Sequence, residues 1–575
     1  MAVAEQPPLP LGEALSRGEG CVSSRTLESR THPSPALRAA SPRGRGDFTW
    51  LLGAAVVMLA LCGLPYLLSA LVGPSDLERI GTFWFMRDFS QYEAAMREGA
   101  SQSGWLIHDH FSAEPHSAAL MYPLYVAAGK AAALLGVSNI AVFTALEWIG
   151  RLAVLGAVHA FASTFLRERR HQRLAVVLAL GTLGLDTLAT LSRALLDAVG
   201  LRAAAAVLPD TINPYLEVSS FGALLSAPHL MLGLALTLLC APIYLRAVAG
   251  QRVWLAVLAA TVVSLSLVHS FNTPVLVSVL LVHAAISGRY AWPAAILAGL
   301  AAAPMALYSV LLYQRDPFWS GTYSAQNLMP SPAPWSLPLD FGLVLIAAPL
   351  AWPFVRRWPV ERRRLILAWI GLGLLWMYLP VPYQRRFALG VQPGLAVLAA
   401  VGILETNAWM RAHRVGAVKR RLVNYAVVVA ATSTSLLVYL GVLASAASNK
   451  PAEVYLWSKP EAAAAEWLGQ HSSAADVVLA TTEFANPLAG TIDGRVVHGH
   501  IVATLHSDDK AALVQRFFSS DATQDERAEI LHESHATLVA FGPRERMPGA
   551  ADPSAQPDLE MIYDRDGVQL FRVTG

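Results

Sequence analysis

The chain has 575 residues, 54% of them hydrophobic and 15% charged, with a mean hydropathy of +0.44, a balance that excludes the ordinary soluble single-core classes and points to a membrane protein. A net charge of +2, with no dense basic and aromatic patch outside the loops, excludes a nucleic-acid partner. The three cysteines, Cys21, Cys62 and Cys240, fall in the leading tail and in apolar runs, so they build neither a disulfide framework nor a Cys metal site.

Residues 1–48 are rich in Pro, Ser, Gly, Arg and Glu and lack an apolar face, which predicts a disordered cytoplasmic tail. The apolar run at 50–72 begins too far in and is too long for a cleavable signal, so it is read as the first membrane span. Lys and Arg accumulate in cytoplasmic loops. Here they cluster at Arg43 and Arg45, Arg167 to Arg173, Arg246 and Arg252, Arg289, Arg356 to Arg364, and Arg411 to Arg421. Setting all of these inside predicts about eleven helical spans, at 50–72, 139–165, 174–194, 221–245, 253–269, 273–288, 292–313, 339–355, 365–380, 388–408 and 422–447. The expected class is an α-helical polytopic protein of the cytoplasmic membrane, with a transmembrane domain over 49–448, the N-terminus inside and the C-terminus outside.

The first outer loop, 74–138, contains "RDFSQYEAAMREGASQSGWLIHDHFSAEPH", the richest polar stretch of the membrane half. Asp88, followed by Tyr92 on a short helix, supplies a carboxylate for chemistry or, in the plainer reading, a solvated residue or helix N-cap. His108, Asp109, His110, Glu114 and His116 combine imidazole with carboxylate, a set that suits zinc or manganese. They also suit a hydrogen-bonded turn, and no fixed motif such as HExxH decides between the two. The segment 116–136, "HSAALMYPLYVAAGKAAALLG", is read as a helix at the outer surface, because counting it as a span would turn the Arg167 to Arg173 cluster outward.

Within the spans, Glu147 and Arg151 stand four apart on one helix face and neutralise each other. Glu217, His229 and His269 fall at one depth toward the outer side, as helix-packing partners or as the lining of a polar pocket. In "VPYQRRFALGVQPG", Arg385 and Arg386 break the charge rule by lying on the outer side. They snorkel to headgroups, or with Gln384 they grip a phosphate with a guanidinium fork.

From 449 to 575 the composition turns water-soluble. Ser458 with Glu461 and Thr523 with Glu526 are capping boxes that open helices. "DVVLATT", "ATLVAFG" and "VQLFRVTG" read as strands, with a hairpin turn at Asp566-Gly567. An extracytoplasmic α/β domain is expected.

This plan, with "MRDFSQYEAAMREG" soon after the first span, a later "MYPLYVAAGK" helix, "PYQRRFALGVQP" and a C-terminal outer domain carrying "ANPLAGTIDGRVVHGH" and "KAALVQRFF", resembles the C-type glycosyltransferase superfamily. Within it, the plan resembles in particular bacterial membrane proteins grouped with the lipopolysaccharide and dolichyl-phosphate mannosyltransferase-like families. The resemblance implies a polyprenyl-phosphate-sugar donor, membrane lipid as surroundings, and Asp88 at the position of the acid that acts as base or orients the acceptor. It departs from that pattern in two places: no second acid forms a pair with Asp88, and "EPHSAALMYP" stands where "HPP" or "KPP" is common. Two other classes stay open on the sequence, a transporter and a non-catalytic relative that binds glycan or lipid. No cofactor is implied with certainty; a divalent metal rests on the histidine and carboxylate cluster alone.

Overall fold

A computed structural model describes residues 42–72, 77–79, 86–208, 218–447, 456–546 and 549–574. The tail expected at 1–48 lies almost wholly outside the described residues, as does Glu217.

The membrane half is helical. Among the described residues, six helices are long and apolar enough to cross a bilayer: Asp47–Val72, Asn139–Phe165, Pro228–Val248, Trp292–Arg315, Val391–Ala412 and Ala417–Ala446. Two bent pairs raise the number to eight if each is one span, so the expected eleven is corrected downward. The reasons are local. The run expected at 174–194 breaks into Arg169–Gly181 and Asp186–Ala198, bent by 62°, and the run expected at 339–355 belongs to short helices that turn by 102°. Val253–Val268 and Asn272–Ser287 have 16 residues each, about 24 Å at 1.5 Å per residue, short of a ~30 Å hydrocarbon core. Apolar composition does not register such breaks, because backbone that leaves the helix is tolerated at depth where protein packs around it. Glu147 and Arg151 are buried together, 3.4 Å apart, and Tyr66 adds its hydroxyl to Glu147 at 3.2 Å.

Helix α2 (Met86–Ser101) and helix α3 (Pro123–Leu135) lie in the first long loop. The stretch read as helical over 116–136 becomes helix only from Pro123, where Pro fits the first turn and Tyr122 caps it in the left-handed region (φ 51°). The two helices cross backbone to backbone. A Cβ on Gly99 would lie 2.4 Å from the Val126 carbonyl oxygen, and one on Gly129 would lie 1.8 Å from that of Met96.

The C-terminal segment forms a five-stranded sheet of order β4-β3-β5-β7-β6, made of β3 (Val477–Leu479), β4 (Arg495–Val496), β5 (Leu538–Phe541), β6 (Leu559–Arg565) and β7 (Val568–Val573). Strands β4, β3 and β5 run parallel, while β7 and β6 are antiparallel. The fully buried runs of β3 and β5 sit in the parallel part, where both faces are covered. Asp566 (φ 49°) and Gly567 (φ 83°) close the β6–β7 hairpin, as a two-residue turn with both φ positive requires. Both capping boxes are formed, Ser458 with Glu461 and Thr523 with Glu526.

This segment does not stand apart from the first loop. Strand β1 (Leu77–Arg79) pairs with β2 (Leu456–Ser458), and one buried core joins Ala94, Phe111 and Ala119 to Trp319, Phe484, Leu488 and Leu570. Ser90 donates to Asn486 Oδ1 at 3.1 Å, and Asn486 Nδ2 donates to the carbonyls of Arg87 (3.1 Å) and Gly499 (2.9 Å).

Candidate active site

Asp88 stands in the first turn of α2, where unpaired main-chain N–H groups favour a carboxylate. The buried face of that helix, with Phe89, Gln91, Tyr92, Ala95 and Met96, is held by α3 and the C-terminal segment. Asp88 therefore opens onto a cavity of about 370 Å³ that Tyr92, His229, His269, Arg386 and His500 also line.

Arg386 reaches this cavity from the short turn Gln384–Ala388. Its guanidinium donates to Asn327 Oδ1 and to Met329 Sδ, both at 3.2 Å, and lies 4.8 Å from the centre of the Phe271 ring. Among the described residues no carboxylate forms an ion pair with it. A fixed cation with neutral neighbours in a cavity is suited to an anion from outside. Arg385 and Gln384 are not among the residues that line the cavity. Gln384 instead accepts from the Ser331 N–H (3.2 Å) and donates to the Leu379 carbonyl (2.7 Å), and the Arg385 main-chain N–H donates to the Met329 carbonyl at 3.1 Å. These bonds fix the turn that carries Arg386.

His229 and His269 stack with ring centres 5.9 Å apart, and His229 Nδ1 lies 2.9 Å from Tyr125 Oη. His269 follows the end of the helix Val253–Val268. Gly233 makes room for it: a Cβ there would lie 2.5 Å from that of His269.

The remaining loop residues are engaged elsewhere. Asp109 is buried, accepting from the Phe111 N–H (2.7 Å) and the Tyr323 hydroxyl (2.9 Å). Burial pushes its pKa up to about 6, against those two bonds. Glu114 pairs with Lys510 at 2.6 Å and accepts from Ser112. Burial opposes its ionisation, but the Lys510 and Ser112 hydrogen bonds hold it below the usual carboxylate range. His116 stacks on Phe318 at 3.9 Å, accepts from the Asp109 N–H on Nε2 (2.7 Å) and donates from Nδ1 to the Glu114 carbonyl (2.9 Å). Burial lowers its pKa, so the ring is neutral. His108 lies 5.8 Å from His116, ring to ring, and His110 is paired with Glu98 at 2.8 Å. The five residues thus do not converge on one point. Among the described residues, the one set of three with ligating atoms close enough to share an ion is Glu168, His171 and Glu405. That set lies beyond the far end of Asn139–Phe165, about 33 Å along the helix from Phe143, which packs beside Tyr92.

Sequence reasoning missed the residues that frame Asp88. His500 Nε2 lies 2.9 Å from Asp88 Oδ1. One end of the Gln91 amide lies 3.0 Å from that nitrogen, the other 2.8 Å from Tyr122 Oη and 3.0 Å from Tyr323 Oη. The histidines of "VVHGH" in an otherwise apolar stretch were the available signal, but nothing in one sequence says that a loop near residue 500 meets a helix at 88.

No protein-family model matches this sequence, and comparison with curated proteins finds no significant match. Solved structures do match. The oligosaccharyltransferase of Archaeoglobus fulgidus tethered with an acceptor peptide aligns with a TM-score of 0.53 and 11% identity, over 86% of this chain and 69% of that one. The same archaeal enzyme with an inhibitory peptide and a dolichol-phosphate gives 0.50 and 11% over the same shares. The mycobacterial arabinofuranosyltransferase AftD gives 0.51 and 14%, over 93% of this chain and 42% of that one. The chain is a polytopic membrane protein with the C-type glycosyltransferase fold.

Proposed function

We propose that the protein is an integral membrane glycosyltransferase that moves a sugar from a polyprenyl-phosphate donor to a cell-envelope acceptor, at the outer face of the cytoplasmic membrane. The observation that carries this reading is that Asp88 and Arg386, from distant parts of the chain, line one cavity. An archaeal protein of like fold holds a dolichol-phosphate, which is the same class of ligand. In the proposed reaction the donor phosphate rests against the Arg386 guanidinium and the sugar lies toward Asp88. The acceptor hydroxyl gives its proton to Asp88 and its oxygen bonds to the anomeric carbon. The bond from that carbon to the phosphate oxygen breaks, and the electron pair leaves with the polyprenyl phosphate. Arg386 stabilises the charge that grows on the phosphate. Asp88 Oδ2, which has no hydrogen bond among the described residues, is the oxygen placed to take the proton.

The test pairs two variants in lipid nanodiscs with a panel of polyprenyl-phosphate sugars. Asp88→Asn keeps size and polarity but cannot accept a proton, so donor binding persists while turnover falls by ~10²–10⁴-fold. Arg386→Ala loses a charge-assisted contact and weakens donor binding by about tenfold to a hundredfold. Full turnover in Asp88→Asn removes Asp88 as the base.

A further inference from the structure

We infer that His500 is a positioning residue for Asp88, a neutral imidazole whose proton is locked on Nε2 and shared between the Asp88 carboxylate and the Gln91 amide; its catalytic consequence rests on the reading of Asp88 as the base. The proton is placed by the opposite edge of the ring. His500 Nδ1 lies 3.1 Å from the Val502 main-chain nitrogen and 3.2 Å from that of Ala503, and both are N–H donors. That nitrogen is an acceptor, so the proton of a neutral ring sits on Nε2, 2.9 Å from Asp88 Oδ1. A second proton on Nδ1 would face two N–H groups.

The Gln91 contacts then have one consistent assignment. The amide atom 3.0 Å from Nε2 must be the oxygen, since a donor there would face a donor. A half turn exchanges amide O and N in place. The NH₂ group then donates to Tyr122 Oη and Tyr323 Oη, 2.8 and 3.0 Å away, and Tyr323 gives its single proton to Asp109 Oδ2 at 2.9 Å. Each of these contacts joins a donor to an acceptor, and Tyr122 lines the cavity.

The loop that presents His500 is built to hold it still. The Gly499 and His500 N–H groups both donate to Thr504 Oγ1 at 3.0 Å, and Thr504 donates to the Phe111 carbonyl at 2.5 Å. A Cβ on Gly499 would lie 2.9 Å from the Phe111 ring, so the loop approaches as closely as it does only with glycine there. The residue is 3% exposed. Asp88 is thereby fixed through Oδ1, with Oδ2 left toward the cavity, and the C-terminal segment contributes a part of the site rather than a cover for it.

The first arm of the test does not depend on sugar transfer. Full-length protein labelled with ¹⁵N-histidine in nanodiscs, with the His500 signal assigned by its loss in His500→Gln, is expected to show Nε2 protonated and Nδ1 bare at neutral pH. The Nε2 signal should shift in Asp88→Asn. A ring protonated on Nδ1, or on both nitrogens, overturns the inference. The second arm is kinetic. His500→Gln returns an N–H close to the Nε2 position, whereas His500→Met keeps bulk without a donor. With a donor sugar that the wild type uses, His500→Met is expected to lose ~10²-fold in kcat with the donor KM little changed, the scale of a base misplaced by about 1 Å. His500→Gln should recover most of that loss. Equal loss in both variants with equal loss of thermal stability would mean packing alone, and undiminished kcat in His500→Met would dismiss positioning. If the wild type transfers no sugar from any polyprenyl-phosphate donor, the proposed function falls, and the spectrum by itself then decides where the proton lies.

Discussion

Asp109 shows how burial turns a loop carboxylate into a pH-dependent stability element. Its pKa is pushed from 3.8 up to about 6 in the fold, so between those values the native state keeps a proton that the unfolded chain has lost. Stability falls as pH rises through that window, by about 3 kcal/mol in all, and levels off above it. Asp109→Asn has no such proton to lose. Relative to the variant, the wild type should lose thermal stability from about pH 4 to about pH 6 and hold steady above, as melting curves in detergent across that range will show. A difference independent of pH would mean that Asp109 ionises in the fold as freely as outside it. The sequence offered Asp109 as a metal ligand or a turn residue. Its actual partner, Tyr323, comes from another part of the chain, and burial by distant residues cannot be read from local spacing.

At the scale of elements, the crossing of α2 and α3 decides where Asp88 and Tyr122 stand. Gly99 and Gly129 allow the two backbones to touch, and any side chain at 129 forces them apart. Gly129→Ala should cost roughly 1–3 kcal/mol of stability and should depress sugar transfer with it, because the helix that carries Asp88 moves. Gly156→Ala, whose Cβ would meet nothing within 4 Å, is the control and should leave both unchanged. Melting temperature and turnover measured together on the two variants check the point. Element types were legible where a local rule governs them: the capping boxes, the Asp566-Gly567 hairpin and six of the long apolar runs stand in the structure. The bends at 182–185 and near residue 342 were not, since hydropathy averages over a window and registers no change of axis.

At the scale of the molecule, charge and cavity lie at opposite ends of the helix Asn139–Phe165. Its N-terminal part packs beside the cavity through Phe143. Past its C-terminal end, a second hollow is lined by Arg167, Arg357 and Arg362. The rule that basic loops stay in the cytoplasm then predicts that the cavity, and the C-terminal segment that completes it, face the outer side. A reporter active only outside the cytoplasm should work when fused at the C-terminus and fail when fused in the loop near residue 358. The reverse pattern would place the proposed site on the cytoplasmic face.

Composition, run length and the spacing of caps and turns were enough to determine a polytopic helical membrane protein ending in an α/β segment, because each depends on residues close together in the chain. Tertiary structure alone decided that Arg386 and not Arg385 lines the cavity, that the histidines and acids of 108–116 are taken up in separate contacts, and that His500 stands against Asp88. Each of these depends on which distant groups exclude water from a side chain and which atoms meet it at hydrogen-bond distance. Such contacts are made between residues hundreds of positions apart, and only the folded chain brings them together.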